Sequence, residues 1–264
     1  MARHITLALD QSAVAGSEED DLRRLAARAA EAASLGSDLL LLPELDWGGY
    51  GSVDASRARA LSQEELQARL APVATRQRLD IVIGYGEREG EAIYNSLLWV
   101  GNDGEIVANY RKLHLWGDYE KAVFTAGKTR PPLIARHGLN FGLLICFDLD
   151  HAVTAQDLAR RGADVILVSS ATCAPFHMVP LIQAPARAYE NAVFLAFCNR
   201  SDTDGENPFI GESRVLAPDA SILAANDARE AQMIRARIAP ADFADWRRRY
   251  SYHDALRRDI YPAP

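Results

Sequence analysis

The chain reads as an α/β protein built in layers. Three observations carry this expectation. Short apolar runs of strand length alternate with amphipathic helical stretches along the 264 residues, and 48% of the residues are hydrophobic against 25% charged, the balance of a soluble chain with a sizeable core. A Gly101-Asn102-Asp103-Gly104 turn also separates two strand-like runs, a strong hairpin signal. No repeat of solenoid period interrupts the alternation.

Taken in order, Ile5 to Leu9 is the first strand, and Glu18 to Ala33 is a helix with Leu22, Leu25, Ala26 and Ala29 on one face. Leu39 to Leu42 is a second strand and Gln63 to Gln77 a second helix. Ile81 to Tyr85, Ser96 to Val100 and Ile106 to Tyr110 follow as strands, the last two joined by the glycine turn. Tyr110 to Glu120 has no single period and reads as a loop. Phe141 to Ile145 is a buried strand; Ala155 to Arg161 a helix; Val165 to Ser169 a strand; Pro185 to Asn191 a helix; Val193 to Cys198 a strand. Ser213 to Leu216 and Met233 to Ile238 close the chain's strand content. Periodicity does not decide how the sheets pack.

Charge and cysteine usage narrow the function classes. With 29 Lys and Arg against 36 Asp and Glu, the net charge of -7 argues against a nucleic-acid surface, whose footprint is basic. The run Arg247-Arg248-Arg249 is the main exception and reads as a solvated or interface face. No apolar stretch approaches the ~18 residues needed to span a bilayer, and the apolar run after Met1 is too short for a signal peptide. Cys146, Cys173 and Cys198 have no paired spacing, so neither a disulfide framework nor a zinc cluster is expected, and a reducing, cytoplasmic compartment is.

Three segments carry chemistry. Cys146 follows Leu143-Leu144-Ile145 where a polar turn begins, the place where a strand-to-helix elbow would hold a nucleophile outward; taken alone, a cysteine after such a run is more often a small core residue. Glu44 follows Leu41-Leu42-Pro43, and since proline cannot continue a sheet ladder, this carboxylate also sits at a strand mouth. Lys112 and Glu120 lie in the irregular segment between them, and Lys112 is one of only three lysines, with Lys121 and Lys128. A thiol, a carboxylate and an ammonium supply what amide hydrolysis by a cysteine needs: a nucleophile, a proton shuttle and a donor for the oxyanion.

Pro43-Glu44, Arg111-Lys112-Leu113-His114-Leu115-Trp116-Gly117 with Glu120, and Cys146-Phe147-Asp148 together resemble the three signatures of the nitrilase superfamily of carbon–nitrogen hydrolases. Ala186-Arg187-Ala188-Tyr189-Glu190-Asn191, Asn199-Arg200, Phe209-Ile210-Gly211-Glu212-Ser213 and the tail around Arg257-Arg258 and Tyr261 extend the resemblance over essentially the whole chain. It implies a four-layer α-β-β-α sandwich in one domain over residues 1–264. It also implies a homo-oligomer, a dimer or larger, with residues 240–264 packing at a subunit interface. No cofactor and no metal are implied.

The resemblance assigns roles. Glu44 is the general base and acid, Cys146 the nucleophile, Lys112 the oxyanion donor with the Phe147 backbone N–H, and Glu120 orients Lys112 or water. His114 is implied to be a structural loop residue. Trp47, Tyr50, Trp116, Tyr119, Phe147, Thr172, Cys173, Phe176 and His177 are candidates to line the substrate pocket, with His151 beside them. Where the family commonly has aromatic-Pro-Glu and then an arginine, this chain has His151-Ala152-Val153 and Gln156, which removes a supporting carboxylate and cation from the nucleophile turn. Cys146-Phe147-Asp148 is closer to amidase and carbamoylase branches than to true nitrilases. The favoured reaction is hydrolysis of a small-molecule carboxamide; the alternatives are an N-carbamoyl-amine, a nitrile, or a binding module that retains the fold.

Overall fold

Leu39, Leu40, Leu41 and Leu42 are all fully buried, and their pleat divides them: Leu39 and Leu41 enter one apolar core, Leu40 and Leu42 another. A strand covered on both faces needs a layer on each side, and the computed structural model of the chain supplies a sheet on one and helices on the other. It describes residues 4–11, 17–50, 52–204, 207–250, 252–257 and 259–260. Arg258 and Tyr261, which carry the tail resemblance, lie outside them.

The strands in chain order are β1 (Ile5–Gln11), β2 (Leu39–Leu41), β3 (Asp80–Glu89), β4 (Ala92–Val100), β5 (Ile106–Arg111), β6 (Leu133–Arg136), β7 (Leu139–Ile145), β8 (Val165–Ser170), β9 (Phe194–Asn199), β10 (Thr203–Asp204), β11 (Asn207–Pro208), β12 (Ser213–Leu216), β13 (Ile222–Asn226) and β14 (Gln232–Ile238). The helices are α1 (Glu18–Ser34), α2 (Val53–Ala58), α3 (Gln63–Gln77), α4 (Gly117–Val123), α5 (Ala152–Arg160), α6 (Ala184–Asn191), α7 (Ala244–Arg249) and α8 (Tyr252–Ala255). One six-stranded sheet runs β14-β1-β2-β3-β4-β5 and the other β13-β12-β9-β8-β7-β6.

Three apolar layers hold four structural ones. Leu7, Leu9, Trp99, Phe141, Leu143 and Leu167 fill the space between the sheets, with Trp99 edge-on to Phe141 at 5.3 Å between ring centroids. Leu25 and Ala29 of α1 and Leu66 and Leu70 of α3 cover the outer face of the first sheet; Leu158 of α5 and Ala184 and Ala188 of α6 cover the second. This is the α-β-β-α sandwich.

Local chemistry sets the elements. Ser62 accepts from Glu65 N while Glu65 accepts from Ser62 N, a reciprocal cap that starts α3 at Gln63. The Gly101–Gly104 turn joins β4 to β5 as expected, with Gly104 at φ +84°. The segment Tyr110 to Glu120, expected to be a loop, is corrected: Tyr110 and Arg111 finish β5, Lys112 to Trp116 is the loop, and α4 begins at Gly117. Glu120 Oε2 accepts the Trp116 backbone N–H at 2.8 Å, so this carboxylate caps the helix that carries it.

The described part of the tail folds onto its own chain. Trp246 Nε1 donates to Pro218 O at 3.1 Å, Arg247 pairs with Asp164 at 2.9 Å, and Tyr189 of α6 packs against Trp246 and Tyr252.

Candidate active site

The carboxyl ends of β2 and β8 meet across the two sheets. Ser169 Oγ donates to Leu42 O at 3.0 Å, and the Glu44 amide donates to Ser170 O at 3.3 Å. Just beyond β2, Glu44 is fully buried. Gly84 on β3 makes room for it: a Cβ there would stand 2.6 Å from Leu45 N and Pro43 O and 2.7 Å from Glu44 Cα.

Lys112, one residue past β5, reaches Glu44 Oε1 at 2.7 Å and Glu120 Oε1 and Oε2 at 2.7 and 2.9 Å. Its own backbone is fixed on both sides, N–H to Asn95 O and C=O to the Gly127 amide, each at 2.8 Å. Burial opposes its charge, but Glu44, Glu120 and Cys146 outweigh it and hold the ammonium well above its ordinary range. Burial raises the Glu120 carboxyl despite Lys112. Tyr50 OH donates to Glu120 Oε1 at 3.2 Å.

Asn95 Nδ2 donates to Glu44 Oε1 at 2.7 Å, the oxygen that Lys112 already holds. Glu44 Oε2 is buried and has no hydrogen-bond partner among the described residues. One carboxylate oxygen is therefore anchored twice and the other is left as an acceptor.

Cys146 follows the last residue of β7 with φ +41°, in the left-handed region that non-glycine residues enter only under constraint. The constraint is Asp148. Its Oδ2 accepts from Tyr110 OH at 2.8 Å and from the Ile145 amide at 3.3 Å; its Oδ1 accepts from the His114 amide at 3.0 Å and lies 2.7 Å from His114 Nδ1. One buried carboxylate thus ties the nucleophile turn to the end of β5 and to the Lys112 loop. His114 takes this structural place, and its ring lies 4.1 Å from that of His151, which packs edge-on to Phe147. The turn is therefore supported by Asp148, with the His114, His151 and Phe147 rings packed beside it.

The Cys146 thiol is half-buried, 3.7 Å from Thr172 Oγ1. Burial and the Glu44 charge push it up to about 12, against the pull of Lys112 and of Ser170 and the Ala171 backbone. It rests as a thiol, so it needs a base at the moment of attack. Asn199 at the end of β9 fixes this wall, accepting from the Thr172 amide at 2.7 Å and donating to Thr172 O and Gly211 O.

A cavity of about 330 Å³ opens above the thiol. Tyr50, Trp116, Tyr119, Phe147, Thr172, Cys173 and Phe176 line it with Cys146 and Glu120, as do Asp118, Asp150 and Phe209, which the sequence did not single out. Three expected lining residues fall elsewhere. Trp47 is buried in the core between the first sheet and its helices, because its amide pairs with Gly84 O and turns the chain back toward Tyr85. His177 is exposed and turned to Glu212 at 2.8 Å, and His151 is taken up in the ring stack. Asn95 and Tyr110, which help position the site, were not singled out from the sequence, and Asp148 and Asn199 entered only as parts of motifs with no role given to them. Among the described residues, no group of three or more His, Cys, Asp and Glu side chains is placed to hold a metal ion.

A family model described as carbon–nitrogen hydrolase matches residues 6–248. A Pseudomonas protegens protein named "Hydrolase in pqqF 5'region" is 36% identical over 217 residues, covering 81% of this chain and 75% of its own length. The 2-oxoglutaramate amidase of Bacillus subtilis is 28% identical over 228 residues, covering 85% and 87%. Among solved structures, an amidase variant from Nesterenkonia sp. AN1, showing covalent addition of the acetamide moiety of fluoroacetamide at its active-site cysteine, aligns with a TM-score of 0.86 at 28% identity over 98% of this chain and 96% of that one.

Proposed function

The chain belongs to the carbon–nitrogen hydrolase family, and we propose that it hydrolyses small carboxamides to the carboxylic acid and ammonia through a thioester on Cys146. The observation that carries this is a half-buried thiol lining an open cavity near a buried carboxylate whose second oxygen has no partner among the described residues.

Glu44 Oε2 takes the Cys146 proton as sulfur bonds to the carbonyl carbon and the C=O π electrons move to oxygen. Lys112 and the Phe147 backbone N–H stabilise that oxyanion. An ammonium has three donors, and when Glu120's two oxygens share one of them and Glu44 takes another, the third is left for the oxyanion. The oxyanion collapses, the C–N bond breaks, and protonated Glu44 returns its proton to the departing nitrogen as ammonia. Water then attacks the thioester, giving a proton to Glu44; the C–S bond breaks and the sulfur recovers that proton. Glu120 orients Lys112, and Tyr50 in turn holds Glu120.

Ammonia release from a panel of small carboxamides, carbamoyl-amines and nitriles tests the reading. Carboxamide turnover that disappears in Cys146→Ala supports it; turnover of nitriles or carbamoyl-amines alone, or activity retained in Cys146→Ala, overturns it.

The protein acts as one domain over residues 1–264 in a homo-oligomer, with its 240–264 tail at a subunit interface, and it works in the cytoplasm. Exposed apolar side chains support the oligomer: Met178 is 59% and Ile182 55% exposed, beside Phe176 and Leu181, and Tyr250 and Ile260 stand out on the tail. Three free cysteines suit a reducing compartment. No helix among the described residues is long and apolar enough to cross a membrane.

A further inference from the structure

The cavity's walls are apolar and aromatic, and the charges on them have one sign. Trp116 stands edge-on to Phe176 at 5.6 Å, with Phe147 and Phe209 also on the wall, while the ionisable side chains besides Cys146 and Cys173 and the phenols are Asp118, Glu120 and Asp150. No lysine or arginine lines the cavity among the described residues, and several basic side chains packed behind its wall have partners. Lys112 is held by Glu44 and Glu120. Arg200 is paired with Asp202. Arg187 donates to the carbonyls of Leu149 and Asp150 and to Glu190 Oε1. His177 faces Glu212.

Asp150 differs from the other two carboxylates. Glu120 is bound by Lys112, Tyr50 and the Trp116 amide, and Asp118 is exposed on the first turn of α4. Asp150 is half-buried in the wall four residues after the nucleophile, and no other described residue donates to its carboxylate. Burial pushes its carboxyl up to about 6, with Arg187 and Lys112 opposing. A half-buried anion in an aromatic-lined cavity, with no hydrogen-bond donor from another described residue on its carboxylate, is a place for a ligand's cation, which gains both charge pairing and cation–π contact. An acyl group carrying a carboxylate would meet three carboxylates and no lining cation.

We propose that Asp150 selects carboxamides whose acyl group carries a protonated amine, a specificity that rests on the amidase reading above. The amide carbonyl lies over Cys146, the hydrocarbon part of the acyl chain lies on the aromatic wall, and the ammonium pairs with Asp150.

The test compares kcat/KM near pH 8 for ω-amino carboxamides, the isosteric alkyl carboxamides and the corresponding ω-carboxy carboxamides, in wild type and in Asp150→Asn and Asp150→Ser. The amino series should exceed its alkyl isosteres by roughly tenfold and the carboxy series by more, as a charge-assisted contact requires. Both variants should bring the amino-to-alkyl ratio to about one. Alkyl or carboxy amides turned over at least as well as amino amides, or an amino preference that survives both variants, overturns the proposal and leaves the amidase reading standing. No turnover of any carboxamide by folded, reduced wild type removes the amidase reading and this proposal with it.

Discussion

Asn95 donates its side-chain amide to Glu44 Oε1 at 2.7 Å, so the oxygen that anchors Glu44 to Lys112 is anchored a second time from the neighbouring strand β4. The other oxygen of the same carboxylate has no donor among the described residues. Two charge-assisted bonds fix the direction in which the remaining oxygen points. Asn95 acts through Glu44, as a positioning residue. In Asn95→Leu, kcat should fall by about 10- to 100-fold with KM changed by less than about threefold, the signature of a contact that matters in the transition state. A rise in KM at unchanged kcat contradicts that role.

Thiol chemistry separates the two functions of Glu44. Its charge raises the Cys146 thiol, second to burial, so Glu44→Gln should lower it while removing the proton acceptor. In a Cys173→Ala background, methyl methanethiosulfonate should modify wild-type Cys146 at a rate that climbs with pH and shows no plateau below about pH 10, since thiolate is the reactive form. Glu44→Gln should react faster than wild type at pH 9 and yet hydrolyse amides at least about 100-fold more slowly. A plateau near neutral pH in wild type would show a resting thiolate and contradict the general-base account.

Gly84 supports the site by having no side chain. A methyl group at this position meets Leu45 N and Pro43 O at 2.6 Å, backbone atoms that cannot rotate away. Gly84→Ala should displace the Pro43-Glu44 turn and lower kcat/KM by more than about tenfold in a variant whose circular dichroism is unchanged. Activity within twofold of wild type contradicts a fixed Glu44.

The apolar band of Phe176, Met178, Leu181 and Ile182 borders the cavity mouth, and Phe176 belongs to both. If a second copy covers it, Ile182→Glu should lower the mass seen by light scattering after size exclusion, since a buried unpaired charge opposes association. An unchanged mass in the folded variant contradicts that use of the band.

What could be read from residues alone follows physical rules visible in this chain. Glu44 and Cys146 were legible because each ends an unbroken apolar run, and a strand buried on both faces announces where it stops. The sandwich core was legible for the same reason. The helix carrying Glu120 was not: α4 has seven residues, and its cap comes from Glu120 itself, without the Ser, Thr, Asp or Asn that marks a start. Asn95 was hidden because the strand was read only from Ser96, whereas β4 starts at Ala92 and carries Asn95 to a buried carboxylate. Trp47 misled for the converse reason: nearness to Glu44 in sequence said nothing about which side of β3 the turn would dock on. Asp148 was quoted as part of a motif, but its four contacts join segments 34 to 38 residues apart as well as its own turn, which no local pattern reveals.

The most direct test of the central claim is to quench wild-type protein in acid during turnover of a small carboxamide and measure the mass of the peptide containing Cys146. Attack by a neutral thiol assisted by Glu44 predicts a mass increase equal to the acyl group less the thiol hydrogen on that peptide, removed by hydroxylamine and absent in Cys146→Ala, which should release no ammonia above background. Steady ammonia release with no acyl group on Cys146 and with activity kept in Cys146→Ala would contradict it.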